Sequence, residues 1–443
     1  MLRFAHSFGT SSCLALFILV AASPSAWSQS LGDAIEREAQ AVEAQMIAWR
    51  RDIHQNPELG NREVRTSALV AAHLKKLGYE VREKIAITGV VGILKGGKPG
   101  PVVALRADMD ALPVTEEVDL PFASKVKTTW NGRETGVMHA CGHDAHTAIL
   151  MAAAEVFAKL RDQLPGTIKL IFQPAEEGLP IGEEGGAQLM IKEGVLENPK
   201  PEAVFGLHVT SGLNIGMLAY RAGPVMAGAD TFRITVKGRQ THGARPWQGI
   251  DPIVVGAQIV LALQTIQSRQ VDVTKEPSVL TIGAFNGGNR PNIIPDKVEM
   301  LGTLRTFDQD TRDFIIRRVK ETTEAIAQSG GAEATVEWKA DGYIPLVNNV
   351  ALTQRMVPTL KRVAGVVEGP RITASEDFSF YAKQVPGLFF HVGITPSGVA
   401  PLRAAPNHSP RFQIDEAGLL TGLRSILHVT FDYMSGSTKK ATD

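Results

Sequence analysis

The sequence predicts an α/β fold in two parts: a main domain on a mostly parallel β-sheet and, set into it, a smaller ferredoxin-like α+β domain. Three observations carry that expectation. Short apolar runs at 101–106, 167–172, 203–208 and 389–394 alternate with stretches of helical period, as buried parallel strands and their crossover helices do. Acidic or histidine residues stand at or just beyond the ends of these runs or in the loops that follow, where ligands bind in such sheets. Between 229 and 338 the order becomes β-α-β-β-α-β, the split unit of a separate domain of about 110 residues. At 443 residues the chain is too long for a single compact core.

Taken in order, residues 1–28 read as a secretory signal peptide. Arg3 gives a basic start, Leu14-Ala-Leu-Phe-Ile-Leu-Val-Ala-Ala22 is apolar but too short for a stable membrane anchor, and Ala26-Trp-Ser28 offers small residues for cleavage after Ser28. The expected location is periplasmic or secreted. Cys13 leaves with the signal, so Cys141 is the sole mature cysteine and no intrachain disulfide can form. A lone thiol in an oxidising compartment is a liability unless a metal holds it. Residues 33–53 have helical period and stop at Asn56-Pro57; His54 on the last turn reads as a structural or surface histidine. A helix follows over 65–77, strands over 81–94, and the run 101–106 leads into Asp108 and Asp110. Within the inserted unit, strands are expected at 229–237, 278–285, 296–306 and 332–338, with helices at 251–269 and 309–328. Residues 29–222 and 339–443 then form the main domain and 223–338 the inserted one. A last helix spans 416–434. Formal net charge is zero and Lys and Arg are scattered, which offers neither a nucleic-acid groove nor a polybasic membrane patch.

The chemistry gathers at Gly136-Val-Met-His-Ala-Cys-Gly-His-Asp-Ala-His-Thr-Ala-Ile-Leu150. Cys141 and His143, two apart, would point to one side of an extended segment, and a thiolate and an imidazole together suit a zinc-like ion. Asp144 stands where an N-cap would stand for the helix that follows. Adding Glu177, His208 and His408 gives five candidate donors. One tetrahedral ion takes four protein ligands at most, so five fit two ions about 3.5–4 Å apart, with Cys141 able to bridge them. Glu176 and Glu177 are neighbours whose side chains should diverge. One can bind metal while the other serves as general base toward an attacking water and then protonates the leaving amine.

At these residues the chain resembles the M20 metallopeptidase family, in its amidohydrolase branch, which acts on N-acyl amino acids, hippurate and indole-acetyl amino acid conjugates. The matching motifs are Arg106-Ala-Asp-Met-Asp-Ala-Leu-Pro113, Met138-His-Ala-Cys-Gly-His-Asp-Ala-His146, Gln173-Pro-Ala-Glu-Glu-Gly178, Gly206-Leu-His208, Asn292-Ile-Ile-Pro295, Ser375-Glu-Asp-Phe378 and Asn407-His408. The resemblance implies that Cys141, His143, Glu177, His208 and His408 bind two divalent ions, that Glu176 is the general acid/base, and that Asp110 orients a ligand imidazole. Asp108 stands where the peptidase branches carry a histidine, a departure that fits the amidohydrolase branch. The inserted domain would be the family's lid and dimerisation domain, making the protein a homodimer. His242, in Gly238-Arg-Gln-Thr-His-Gly-Ala-Arg-Pro246, would polarise the scissile carbonyl, in dimers often from the partner copy. Asn292 and Arg305 would hold the substrate carboxylate, Arg305 through a bidentate contact. The segment 179–186 is longer than expected and would reshape the acyl pocket.

The expected activity is therefore metal-dependent hydrolysis of N-acyl amino acids, of hippurate or aryl-conjugate type, by a catalytic domain under a lid. A dipeptidase or aminopeptidase of the same family is the alternative, and needs an acidic partner for a substrate ammonium that the sequence does not locate. A metal-loaded binding protein without turnover has no use for Glu176. The donor types suit Zn, Mn, Co or Ni alike.

Overall fold

The computed structural model describes residues 24–180, 182–339 and 342–436. The apolar run expected to be a signal peptide lies outside them. In chain order, helix α1 (Pro24–Gln55) is followed by β1 (Glu80–Ile85), β2 (Gly89–Lys95), β3 (Lys98–Asp108), α2 (His143–Lys159), β4 (Pro165–Gln173), β5 (Ala203–Asn214) and β6 (Met217–Tyr220). Next come β7 (Gly228–Lys237), α3 (Pro252–Arg269), β8 (Ser278–Gly287), β9 (Lys297–Thr306), α4 (Gln309–Ser329) and β10 (Glu333–Trp338). The chain closes with β11 (Gly365–Glu368), β12 (Gly387–Thr395) and α5 (Ala417–Ser435). Helix α1 begins at Pro24, upstream of the expected Asp33, so the expected cleavage point after Ser28 falls within it. Among the described residues no helix is long and apolar enough to cross a membrane.

The large sheet has the order β1-β2-β4-β3-β5-β12-β6-β11. Its centre, β4-β3-β5-β12, is parallel throughout, and antiparallel pairs occur only toward the rims. The central strands are continuous apolar runs because both faces are covered; every residue of β12 is buried. On one face lie α1, α2 and α5. Helix α2 is buried on nearly every side from His143 to Phe157, which explains why its sequence lacks a polar stripe.

The second sheet is antiparallel, with order β8-β9-β7-β10, the arrangement of the ferredoxin-like unit. Strand β7 alternates buried and exposed residues, and its inward Phe232, Ile234 and Val236 join Ile259 and Leu263 of α3 and Val319 of α4 in a core of their own. At the junction, Gly223–Met226 pairs with Leu346–Asn348, so the two chain crossings between the units are laddered together. We propose 223 and 338 as the limits of the inserted unit.

Two local expectations are corrected. Asp144 is not an N-cap: Gly142 occupies that position at φ +94°, where an added Cβ would lie 2.3 Å from Val209 Cγ2. Asp144 instead is the buried anion of a polar joint, its Oδ2 2.7 Å from Arg50 Nε and 2.9 Å from His54 Nδ1. His54 is thus structural and buried, not a surface residue. Arg50 also reaches Glu416, 3.2 Å away at the head of α5. The joint fastens α1 to the helix that carries the functional stretch. Arg50→Ala strands the Asp144 carboxylate without its cation and is expected to cost about 3–5 kcal/mol, read as a lowered midpoint in a denaturant melt. An unchanged midpoint refutes this role.

Candidate metal centre

The five expected donors converge at the carboxyl edge of the parallel strands. Asp108 ends β3, and the loop after β4 carries Glu176 and Glu177. The head of α2 brings Cys141 and His143, and the loop after β12 brings His408. His208 is mid-strand rather than at a strand end, because β5 runs on to Asn214; its ladder with β3 stops at Gly206, so the side chain emerges where that neighbour has ended. Cys141 and His143 do converge, but across the left-handed turn at Gly142 rather than along an extended segment.

The donors fall into two triads that share one atom. Cys141, His143 and His208 form the first, and Cys141, Glu177 and His408 the second, with all donor atoms of a triad within 4.8 Å of one another. Cys141 Sγ is 3.3 Å from His208 Nε2 and 3.2 Å from His408 Nε2. Glu177 Oε1 is 3.0 Å from His408 Nε2 and 3.8 Å from His143 Nε2.

The imidazoles are aimed by partners behind them. His143 Nδ1 donates to Asp110 Oδ1 at 3.1 Å, and Asp110 Oδ2 accepts the Glu177 N–H at 2.9 Å, so one carboxylate sets two donors at once. His208 Nδ1 donates to Val209 O at 2.7 Å. With Nδ1 donating in each ring, Nε2 is the nitrogen left for a metal beside the thiol. The His408 loop is held by its own N–H on Ala140 O at 2.7 Å and by Asn407 Nδ2 on Cys141 O at 3.0 Å.

The electrostatics favour a cation. Burial pushes the Cys141 thiol well above its usual range, and the Glu177 and Glu176 carboxylates push it further; a positive ion removes both penalties. Burial alone would raise Glu177, but the His408 contact and nearby His143 bring it below the ordinary carboxylate value. His143 Nε2 is buried with no hydrogen-bond partner, a cost that a metal bond would lift. The residues fit a pair of divalent ions.

A family model for peptidase family M20/M25/M40 matches residues 104–430. The chain belongs to this family. It is 41% identical to thermostable carboxypeptidase 2 of Saccharolobus solfataricus, over 88% of this chain and 96% of that one. It is 39% identical to the N-acetyl-L-cysteine deacetylase of Bacillus subtilis over 86% of each. Among solved structures, the Bacillus subtilis YXEP protein, described as a dinuclear metal binding peptidase of the M20 family, superposes with a TM-score of 0.75 at 32% identity, covering 89% of this chain and 99% of that one. The protein is thus an M20 hydrolase with an α/β catalytic fold.

This M20 chain also uses residues that sequence spacing did not single out. His146 Nδ1 lies 2.5 Å from Asp108 Oδ1, and His146 Nε2 accepts the Val209 N–H at 2.8 Å, so this histidine is spent on scaffolding. Arg106 binds Asp108 at 2.6 Å, Asp377 at 2.7 Å and Glu376 at 3.0 Å. Glu376 and Asp377 lie within reach of Glu176, and Tyr343 Oη donates to Glu176 O. Burial, then Glu376, Glu177 and Asp377, raise Glu176 well above the usual carboxylate range. The alternation of Arg106 and Asp108 at the end of β3 with Asp110 just beyond it was the available signal.

Two cavities flank the donors. A smaller one of about 380 Å³ contains Cys141, Glu176, Glu177, His208 and His408, and a larger one of about 730 Å³ adjoins it; both are lined by Glu177, Arg305 and Tyr343. Arg305 is half-buried and has no ion-pair partner among the described residues. Leu179, Glu183 and Glu184, of the segment expected to reshape the acyl pocket, line the larger cavity and not the smaller one. His242 and Asn292 are not brought to the metal triads. They lie together on exposed backbone, Gly243 N–H donating to Asn292 O, and neither lines these cavities.

Proposed function

We propose that the protein hydrolyses the amide bond of N-acyl amino acids, hippurate-like or aryl-acyl conjugates, releasing a carboxylic acid and an amino acid. The observation that carries this reading is the pair of donor triads joined at Cys141, with the Glu176 carboxyl beside His143 and Glu177. Two divalent ions, Mn, Zn, Co or Ni, held by Cys141, His143, Glu177, His208 and His408, would polarise the scissile carbonyl and make water a stronger nucleophile. Glu176, whose carboxylate is made more basic by burial and its acidic neighbours, accepts a proton from the attacking water and delivers it to the leaving nitrogen. Asp110 keeps His143 and Glu177 aligned. Arg305 is free to take the substrate carboxylate.

His242 and Asn292 would come to the donors from a second copy, as in a homodimer, or after closure of the inserted domain. The same domain exposes Val254 and Leu261 on α3 and Val279 and Phe285 on edge strand β8, an apolar face that a second copy would cover. Sedimentation should give twice the chain mass; a monomer at micromolar concentration contradicts it. The protein is proposed to act in the periplasm or outside the cell, and the exported form should begin at Gln29.

A dipeptidase would need an unpaired acid for the substrate ammonium. The acids of the larger cavity are engaged, Glu183 with Arg62 at 2.5 Å and Glu184 with Lys192 at 2.7 Å. Metal-loaded protein offered hippurate, N-acetyl amino acids and free dipeptides should cleave the acylated substrates, lose activity to a chelator and regain it with Mn, Zn, Co or Ni. Absence of cleavage of any amide with metal present overturns the proposal, and preference for free dipeptides moves it to the dipeptidase reading.

A further inference from the structure

His391 is the one histidine lining the smaller cavity that the metal-site reading leaves unused. It lies on β12, paired in register with His208 on β5 and Ala219 on β6. Only 8% of it is exposed, and it lines the cavity together with Met226, Ile372, Ala374 and Thr210. Its ring packs edge-on to Phe389, with centroids 5.7 Å apart, and makes no hydrogen bond among the described residues. The neighbouring histidines differ: His143, His146 and His208 each have a nitrogen tied to a carboxylate or carbonyl. The His391 imidazole thus has no protein partner among the described residues, and the cavity gives it access to what enters.

We propose that His391 contacts the acyl half of the substrate and selects acyl groups that carry a neutral hydrogen-bonding atom, such as a ring nitrogen or a hydroxyl, over their plain hydrocarbon counterparts. The inference rests on the N-acyl amino acid reading above. The amide carbonyl must lie against the donor cluster and Glu176. Arg305, which lines both cavities, draws the carboxylate half toward itself. Beside apolar Met226, Ile372 and Ala374, the remaining polar walls of the smaller cavity are mostly engaged, Tyr343 by Glu176 O, Glu376 by Arg106 and Asn407 by Cys141 O, which leaves Ser375, Thr210 and His391. Thr210 Oγ1 accepts the Gly212 N–H at 3.1 Å and Ser375 is shared with the larger cavity, so His391 is, among the described residues, the polar side chain without a protein partner that faces this cavity alone. A polar side chain with no protein partner in a pocket wall helps to orient the ligand that reaches it. Leaving it unmatched penalises a ligand without a complementary atom.

The test compares glycine conjugates of matched shape: benzoyl against 3- and 4-pyridinecarbonyl and 3- and 4-hydroxybenzoyl. For the wild type, kcat/KM for at least one polar isomer should exceed that for benzoyl by roughly tenfold, the scale of one hydrogen bond. In His391→Phe that ratio should collapse toward one, and His391→Gln, which keeps a donor and an acceptor, should restore part of it. His391→Leu makes the same comparison if the Phe variant does not fold. An unchanged ratio in the apolar variants overturns the proposal. So does loss of bound metal, which would make His391 a ligand instead. If the wild type cleaves none of these conjugates, that outcome bears on the hydrolase reading and not on His391. Binding of the free pyridine- and hydroxybenzenecarboxylates against benzoate by metal-loaded protein then tests His391 alone, and equal selectivity in wild type and His391→Phe overturns it.

Discussion

Glu176→Gln is expected to keep both metal ions and to lose turnover by about 10²–10⁴-fold. Glutamine fills the same space and can still accept the Asp377 N–H that lies 3.4 Å from Glu176 Oε1, so the loop and Glu177 should stay in place. What it cannot do is take up and release a proton. Glu176 is suited to that work because burial and neighbouring Glu376 and Asp377 raise its affinity for a proton well above that of an ordinary carboxylate. Substrate affinity should change little. Metal analysis and steady-state kinetics on the same preparation separate the outcomes: retained turnover removes Glu176 from its role, and lost metal makes it a ligand.

Cys141→Ala is expected to abolish both metal binding and activity. The thiol is the shared corner of both triads, 3.3 Å from His208 and 3.2 Å from His408, so its removal leaves neither ion a full set. The metal-free variant should melt close to metal-free wild type, since the hydrogen bonds of Cys141 Sγ are made to other donors, His208 and His408. The wild type should gain stability on adding metal, as any ligand specific to the native state confers, and the variant should not. A Cys141→Ala protein that still holds two ions tightly would show that the thiol is not the bridge.

Much of this was legible in the sequence, for identifiable reasons. Parallel strands buried on both faces must be unbroken apolar runs, so β3, β4, β5 and β12 could be located directly, and the polar residues beyond them marked the site. Partners distant in sequence could not be read. Nothing near Asp144 announces Arg50 and His54, whose contacts arise only when α1 packs on α2. Spacing also could not separate His143 from His146; the difference is which carboxylate stands behind each ring, Asp110 leaving a bare Nε2 and Asp108 completing a scaffold bond. The turn between Cys141 and His143 needed a residue at positive φ with no room for a Cβ, and the glycine itself was the clue. His242 and Asn292 were found by motif, but a motif carries no information about which cavity, or which copy, the residues face.

The most direct test is anomalous diffraction from crystals of the metal-loaded protein, recorded on either side of the metal absorption edge. Two peaks per chain, about 3.5–4 Å apart, with Cys141 Sγ between them and His143, His208, His408 and Glu177 around them, are the expected result. A single peak, or two peaks that leave Cys141 unligated, would contradict the dinuclear assignment and the hydrolysis proposed to depend on it.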